Sequence, residues 1–318
     1  MKRNLKRIGY LLTITIVLVS FIDMLNNACA QGPGQSLDWS IKANKTAFYA
    51  GEPILLTLNI RSTGTQEEKV NFGMDGLEAF SMEIHDSNNI IVSKGDKIQR
   101  FGVSRVGTLL VTPGETGQKS IVLNRWCSTL LPPGQYRVVC RIDRPGKFYF
   151  EKIKSGDQIV VVTKRHYEPM TVLELDIQII EMDRVRFKEM LETLVGFEVK
   201  PEAKSKREWL TERDIARELL ALTESELAIP YQLQLLRTDP YTWFGPDAIN
   251  SLVKSGTLEA ARGLVQIIED PSIYTVDVES IFIDGVYRLR ETGKAEIINA
   301  TDEFVAKYKR PVLAKPND

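Results

Sequence analysis

Histidine is nearly absent from this chain: its 318 residues include two, His85 and His166. Neither stands in a metal-ligand or catalytic spacing. His-Glu-x-x-His, Gly-x-Ser-x-Gly, phosphate-loop and paired-cysteine zinc patterns are missing as well. Asp75, Asp86 and Asp96 are acidic, but none lies in a loop with calcium-ligand spacing. The sequence thus offers no catalytic, metal or cofactor residues, and the expectation is a protein that is not an enzyme. A bilayer-spanning run is lacking too. The uncharged stretch Ile8 to Ile22 has fifteen residues, against the roughly 20 that a membrane helix needs. Nor is there an excess of basic charge, so a nucleic-acid partner, which needs a basic surface, is not expected.

The first thirty residues instead read as a signal peptide. Lys2, Arg3, Lys6 and Arg7 precede the apolar run, Asp23 stops it, and Ala28-Cys29-Ala30 supplies a small-x-small cleavage pattern. Cleavage after Ala30 would leave Gln31 first. A lipoprotein using Cys29 is the alternative, with Asn26 standing where a lipobox usually has Leu. Removing Lys2, Arg3, Lys6, Arg7 and Asp23 from 41 basic and 42 acidic residues leaves 37 and 41, a net charge of −4. The expected product is exported to the periplasm or cell exterior. There Cys127 and Cys140, the two cysteines of the three that survive processing, would most simply form a disulfide. The competing reading is two buried thiols, since free cysteine packs as a small hydrophobe.

The hydrophobic period changes once, near Met182. Before it, apolar residues alternate, as in Ile54, Leu56, Leu58, Ile60 and in Leu173, Leu175, Ile177, Ile179. After it they recur at three and four, as in Phe187, Met190, Leu191, Leu194 and in Leu258, Ala261, Leu264, Val265, Ile268. Period two means strands with one buried face, and a period near 3.6 means amphipathic helices. The expected organisation is a signal peptide over 1–30, a β-sandwich over 31–182, a helical domain over 183–309 and a polar tail over 310–318.

Strand patterns are expected at Ile54–Arg61, Phe80–His85, Ile90–Ser93, Leu109–Thr112, Lys119–Asn124, Tyr136–Ile142, Ile159–Thr163 and Thr171–Ile180, each bounded by turn residues. Tyr136, Val138, Cys140 and Ile142 share one face, leaving Arg137, Arg141 and Asp143 on the other. His166 falls in the basic, proline-containing segment Lys164 to Pro169, and Trp126 reads as core. Tyr49-x-Gly51-Glu52-Pro53-Ile54, Pro113-Gly114-Glu115-Thr116, Trp126 and Pro133-Gly134-Gln135-Tyr136-Arg137-Val138 occur in that order. This resembles the immunoglobulin-like sandwich of the bacterial intracellular proteinase inhibitor family. The resemblance implies a fold and, as an alternative function, proteinase inhibition, although no inhibitory loop can be identified.

The helical half repeats itself. Leu227 to Pro240 recurs as Leu258 to Pro271, thirty-one residues on, with Leu227 matching Leu258, Leu233 matching Leu264 and Leu236 matching Ile267. A further helical pattern follows each copy, Pro246 to Ser255 and Val276 to Arg290, ending at Gly256 and Gly293 where a helix C-cap favours glycine. A period of this size marks an α-solenoid, and the pattern resembles short HEAT-like repeats. Thr211–Leu222 would precede the repeats, Lys200–Lys206 would be a connector, and Lys294–Tyr308 a terminal helix with Phe304, Val305 and Tyr308 inward.

The surface feature that stands out is Tyr241-Thr242-Trp243-Phe244, between Asp239-Pro240 and Gly245-Pro246. Exposed, Tyr241, Trp243 and Phe244 would anchor a protein partner, because large aromatics are enriched at binding hot spots. Buried, they would be repeat core. The leading expectation is an exported, non-catalytic binding or scaffolding protein whose solenoid faces a protein partner. A proteinase inhibitor is the alternative, and a hydrolase with a site at the domain junction the third reading.

Overall fold

The computed structural model describes residues 36–74, 76–95, 106–127, 129–155, 158–197, 206–239, 244–270, 272–273 and 279–311. The expected signal peptide, the expected connector Lys200–Lys206 as far as residue 205, and Asp75 and Asp96 lie outside them. Among the described residues no helix is long and apolar enough to cross a membrane. Among the described residues a β region is followed by seven helices.

The described part of the β region has ten strands: β1 (Leu37–Ala43), β2 (Ala47–Tyr49), β3 (Leu55–Ser62), β4 (Glu68–Met74), β5 (Phe80–Asp86), β6 (Ile91–Gly95), β7 (Val106–Val111), β8 (Thr116–Val122), β9 (Gly134–Ser155) and β10 (Gln158–Ile180). They form sheets ordered β1-β3-β8, β2-β10-β9-β5-β6 and β4-β7. The alternation in β3 sends Leu56, Leu58, Ile60 and Ser62 inward and leaves Leu55, Thr57 and Asn59 half-covered, as a strand with one buried face requires. One apolar core collects Trp39, Phe48, Leu58, Phe72, Phe80 and Cys140, side chains drawn from all three sheets. Trp126 belongs to it, edge-on to Phe80 with ring centroids 6.4 Å apart.

The face expected for Tyr136, Val138, Cys140 and Ile142 is buried, with Arg137, Arg141 and Asp143 facing outward. What differs is length. The strands expected at Ile159–Thr163 and Thr171–Ile180 are one strand, β10, paired antiparallel with β9 from Gln158↔Ser155 to Ile179↔Gly134. The register slips between Arg165 and Tyr167 and again between Pro169 and Thr171. His166 occupies the first of these irregularities, exposed. Proline is tolerated in a ladder at such places because its missing N–H is not needed there.

The helices are α1 (Arg184–Gly196), α2 (Lys206–Ala221), α3 (Ile229–Thr238), α4 (Gly245–Ser255), α5 (Leu258–Glu269), α6 (Glu279–Arg290) and α7 (Ala295–Lys307). Asp183 caps α1 by accepting from the amides of Val185 and Arg186, and Thr257 caps α5 by accepting from Ala260. Gly256 ends α4 in the left-handed conformation at φ 55°, and Gly293 follows α6 at φ 74°, where an L side chain would be strained. From α2 onward each helix packs on its sequence neighbour and on the next but one. α2, α4 and α6 therefore make one layer, and α3, α5 and α7 the other. Of the matched repeat positions, Leu233, Leu264, Leu236 and Ile267 are buried, and Leu227 and Leu258 are half-buried.

Side-chain amides and hydroxyls tie one helix to the next. Gln232 Nε2, buried, donates to the carbonyls of Leu220 at 3.0 Å and Thr223 at 2.8 Å. Ser251 Oγ donates to Ala221 O at 2.8 Å. The carbonyls of Leu220 and Ala221 are in the last turn of α2, where intrahelical donors run out, and that of Thr223 lies just beyond it.

Candidate functional site

The residues marked out by sequence come to different ends. Tyr241 and Trp243 lie outside the described residues. Phe244 is the N-cap position of α4 and is half-buried against the helical core. Cys127 and Cys140 are both free thiols, which corrects the expected disulfide. Cys140 sits inside β9, wholly buried, paired in register with Met82 and Leu173. Cys127 follows a 3-10 turn, Leu123–Trp126, and its Sγ donates back to Leu123 O at 3.7 Å. Burial and the nearby Glu224 carboxylate push the Cys127 thiol up to about 12, and burial raises that of Cys140 as well. Neither is a poised nucleophile, which needs a lowered pKa.

The histidines do not meet. His85 is half-buried near the end of β5, its Nε2 3.7 Å from Glu83 Oε2. Its ring nitrogens make no hydrogen bond among the described residues. No group of three or more His, Cys, Asp or Glu side chains is placed to hold a metal ion among them either.

Two polar constellations are new. The first is an open groove of about 460 Å³ where β5, β9 and β10 end, lined by Asp86, Asn89, Gln135, Tyr136, Arg137 and Asp176. Much of its hydrogen-bonding capacity is already used. Asp86 Oδ1 accepts from the amides of Asn88 and Ile90, both at 2.9 Å. Arg137 donates to the Asn89 side chain, and the Tyr136 hydroxyl, buried, donates to Pro132 O at 2.7 Å.

The second lies where the β region meets the helices. Arg125, in the 3-10 turn, has a side chain only 3% exposed. Its Nε donates to Glu218 Oε1 on α2 at 2.8 Å, and its Nη1 to Asp247 Oδ2 in the first turn of α4 at 2.7 Å. Burial works against the guanidinium charge, but Asp247 and Glu218 outweigh it and hold the group above its usual range. Beside it, Lys254 in the last turn of α4 donates to Cys127 O at 3.4 Å and pairs with Glu224. The Tyr49 ring meets Phe187 of α1 edge-on at 6.4 Å. Among the described residues, the junction is filled by ion pairs and packing. These contacts supply anchoring chemistry.

No protein-family model matches the chain, and no curated protein matches it. The expected likeness to the proteinase inhibitor family, and that to HEAT-like repeats, gain no support from these comparisons. Among solved structures, the chain is similar to a β-glucosidase from Erythrobacter marinus at 14% identity and TM-score 0.24, over 46% of this chain and 15% of that one. It is similar to a CARDB domain from Pyrococcus furiosus at 11% identity and TM-score 0.21, over 46% of this chain and 96% of that one. The sporulation control protein Spo0M from Bacillus subtilis gives 13% identity and TM-score 0.22, over 51% and 55%. Likenesses this faint define neither a family nor a fold. The chain spans only 15% of the length of the first of these proteins. The expectation that the chain is not an enzyme is nonetheless corrected, because an enzyme stands among its structural likenesses. At that TM-score the likeness carries no argument for glycosidase activity, so missing catalytic motifs decide nothing about catalysis.

Proposed function

We propose that this is an exported binding or scaffolding protein, in which an immunoglobulin-like sandwich carries a short HEAT-like solenoid that receives a protein partner. The observation that carries the reading is the next-but-one packing of α2 to α7 in two layers. Stacked helix pairs of this kind present an extended surface, and partner binding is what such surfaces serve. The shared core of the three sheets supports the sandwich. So does the Tyr136 hydroxyl, which reaches back four residues to Pro132 O, as the tyrosine corner of immunoglobulin-like sandwiches does. The leader-like first thirty residues support export.

The test uses Trp243→Ala, since Trp243 is the aromatic that the sequence marks as an anchor. Parent and variant chains, immobilised, are exposed to envelope extract, and bound proteins are identified by mass spectrometry and re-tested one at a time in purified form. A single purified protein that binds the parent, and binds the variant at least tenfold more weakly at an unchanged melting temperature, is the expected result. Equal binding by the two chains, or binding that maps to the β region by hydrogen exchange, overturns the solenoid as the receiving surface.

A further inference from the structure

Arg125 joins two separate cores through rigid supports at both ends. On the β side, its 3-10 turn is embedded: Leu123 and Trp126 are in the β core. Asn124 Oδ1 accepts from Ile54 N at 2.7 Å, and its Nδ2 donates to Glu52 O at 3.3 Å. On the helical side, Glu218 stands two residues before Leu220, and Asp247 immediately before Ala248 and Ile249, all three in the helical core. The same α4 is gripped a second time at its other end, where Lys254 reaches Cys127 O and Glu224. One helix is thus held to the segment Arg125–Cys127 through an acid in its first turn and a base in its last.

A buried cation shared by two carboxylates is a poor way to gain stability. Removing the charges from water costs about as much as their attraction returns, and apolar replacements of similar volume are often neutral or better. What such a triad does supply is direction. The guanidinium is a planar fork with fixed donor angles, and here two arms of it are committed to carboxylates on two different helices. A rotation of the helices on the β region strains or breaks these bonds around a guanidinium that is itself almost wholly buried.

We propose that the Arg125–Glu218–Asp247 triad is an orientation lock, which holds α2 and α4 on the β region in a single arrangement. The chain then works as one rigid body, not as two domains on a tether. A partner would meet the outer faces of both regions at a fixed angle. In the sequence, α4 is the helix that follows Tyr241, Trp243 and Phe244.

The test uses the full chain with spin labels introduced through unnatural amino acids at Thr65 and Glu303, which are exposed and lie in the β region and in α7. Pulsed electron resonance reads the distance between them. The deciding variant is the triple apolar replacement Arg125→Met, Glu218→Met, Asp247→Leu. The expected result is a melting temperature at or above that of the parent, with a distance distribution at least twice as broad. A distribution as narrow as that of the parent overturns the proposal, since packing alone would then set the angle. If the triple variant does not fold, Arg125→Lys decides in its place. A lysine ammonium is a point charge that cannot fork, so broadening supports the lock and an unchanged narrow distance refutes it.

Discussion

Gly51 and Glu224 meet backbone to backbone across the junction. The Glu224 amide donates to Gly51 O at 3.0 Å. Gly51 has φ +85°, and a Cβ placed on it would lie 2.5 Å from Glu224 O. Two separate reasons therefore demand glycine: a left-handed backbone, and a neighbour that cannot move aside as a flexible side chain would. Gly114 shares the first reason without the second, with φ +77° and nothing within 4 Å of its would-be Cβ.

That contrast makes the first prediction. Gly114→Ala should cost about 1 kcal/mol, the strain of one left-handed alanine. Gly51→Ala should cost about 2–4 kcal/mol, because the clash adds to that strain. Urea unfolding of both variants measures the difference. Equal costs would mean that the β region and the helices part freely at this point.

The second prediction concerns the buried thiols. In the chain beginning at Gln31, iodoacetamide at pH 8 should leave Cys127 and Cys140 unmodified while the protein is folded and should alkylate both in guanidinium. A protein two hydrogens lighter by intact mass before reduction would restore the disulfide. The raised pKa values also set a pH window. A thiol whose folded pKa lies above its unfolded value of about 8.5 stabilises the fold fully below that pH. The contribution is then lost as pH climbs toward the folded value, about 12 for Cys127. Stability should fall between pH 9 and 12 by up to about 1.4 kcal/mol per pH unit for each thiol. Cys127→Ala should flatten that slope.

Much of this arrangement is legible in the sequence, for identifiable reasons. Helix α4 declares itself through its period and terminal Gly256, and α5 through its period and the Thr257 cap, all of which are local. Strand β3 does so through strict alternation after Pro53. The long pair β9 and β10 does not, because Lys164 to Pro169 carries charge and a proline and looks like a break. The register irregularities at His166 and Met170 absorb what would otherwise end a strand. Strands β1 and β4 alternate as well, through Leu37, Trp39, Ile41 and Ala43 in one and Val70, Phe72 and Met74 in the other, yet stand outside the expected strands; β2, three residues long, is too short to show a period. The junction is the least legible part. Arg125 stands 93 residues from Glu218 and 122 from Asp247, and no spacing rule connects residues so far apart. The one available signal was an arginine beside Trp126, a residue already expected in the core.

A third prediction follows from Gln232, whose buried amide closes the end of α2. Gln232→Leu keeps the volume but removes the donor to Thr223 O, whereas Leu220 O keeps its bond from Thr223 N. One unsatisfied buried acceptor costs about 1–3 kcal/mol, and a loss of that size is expected. Hydrogen exchange should show it as faster opening of α2 and α3, with the β region protected as before. A loss shared evenly by β and helical amides would contradict the local assignment, and would instead show the two regions unfolding as one unit.

The last prediction tests the repeat itself, at the contact between α3 and α5. A Cβ on Gly263 would lie 2.2 Å from Leu233 Cδ1 and 2.6 Å from Cδ2, so glycine lets the two helices approach. Alanine in mid-helix is favoured over glycine by about 1 kcal/mol, whereas overpacking a core costs about 1–3 kcal/mol. Leu233 is only 5% exposed, which leaves its side chain little room to turn away, so the cost should win and Gly263→Ala should destabilise. Leu233→Ala alone should cost about 2–5 kcal/mol by opening a cavity. In the double variant the new methyl enters the space that the leucine vacated, and the alanine keeps its helical advantage. Gly263→Ala should then change sign and stabilise the Leu233→Ala background by about 1 kcal/mol. The coupling energy from the four unfolding curves should therefore exceed about 1 kcal/mol. Additive effects, within about 0.5 kcal/mol, would show that α3 and α5 do not pack through this pair and would remove the closest contact from the proposed stack.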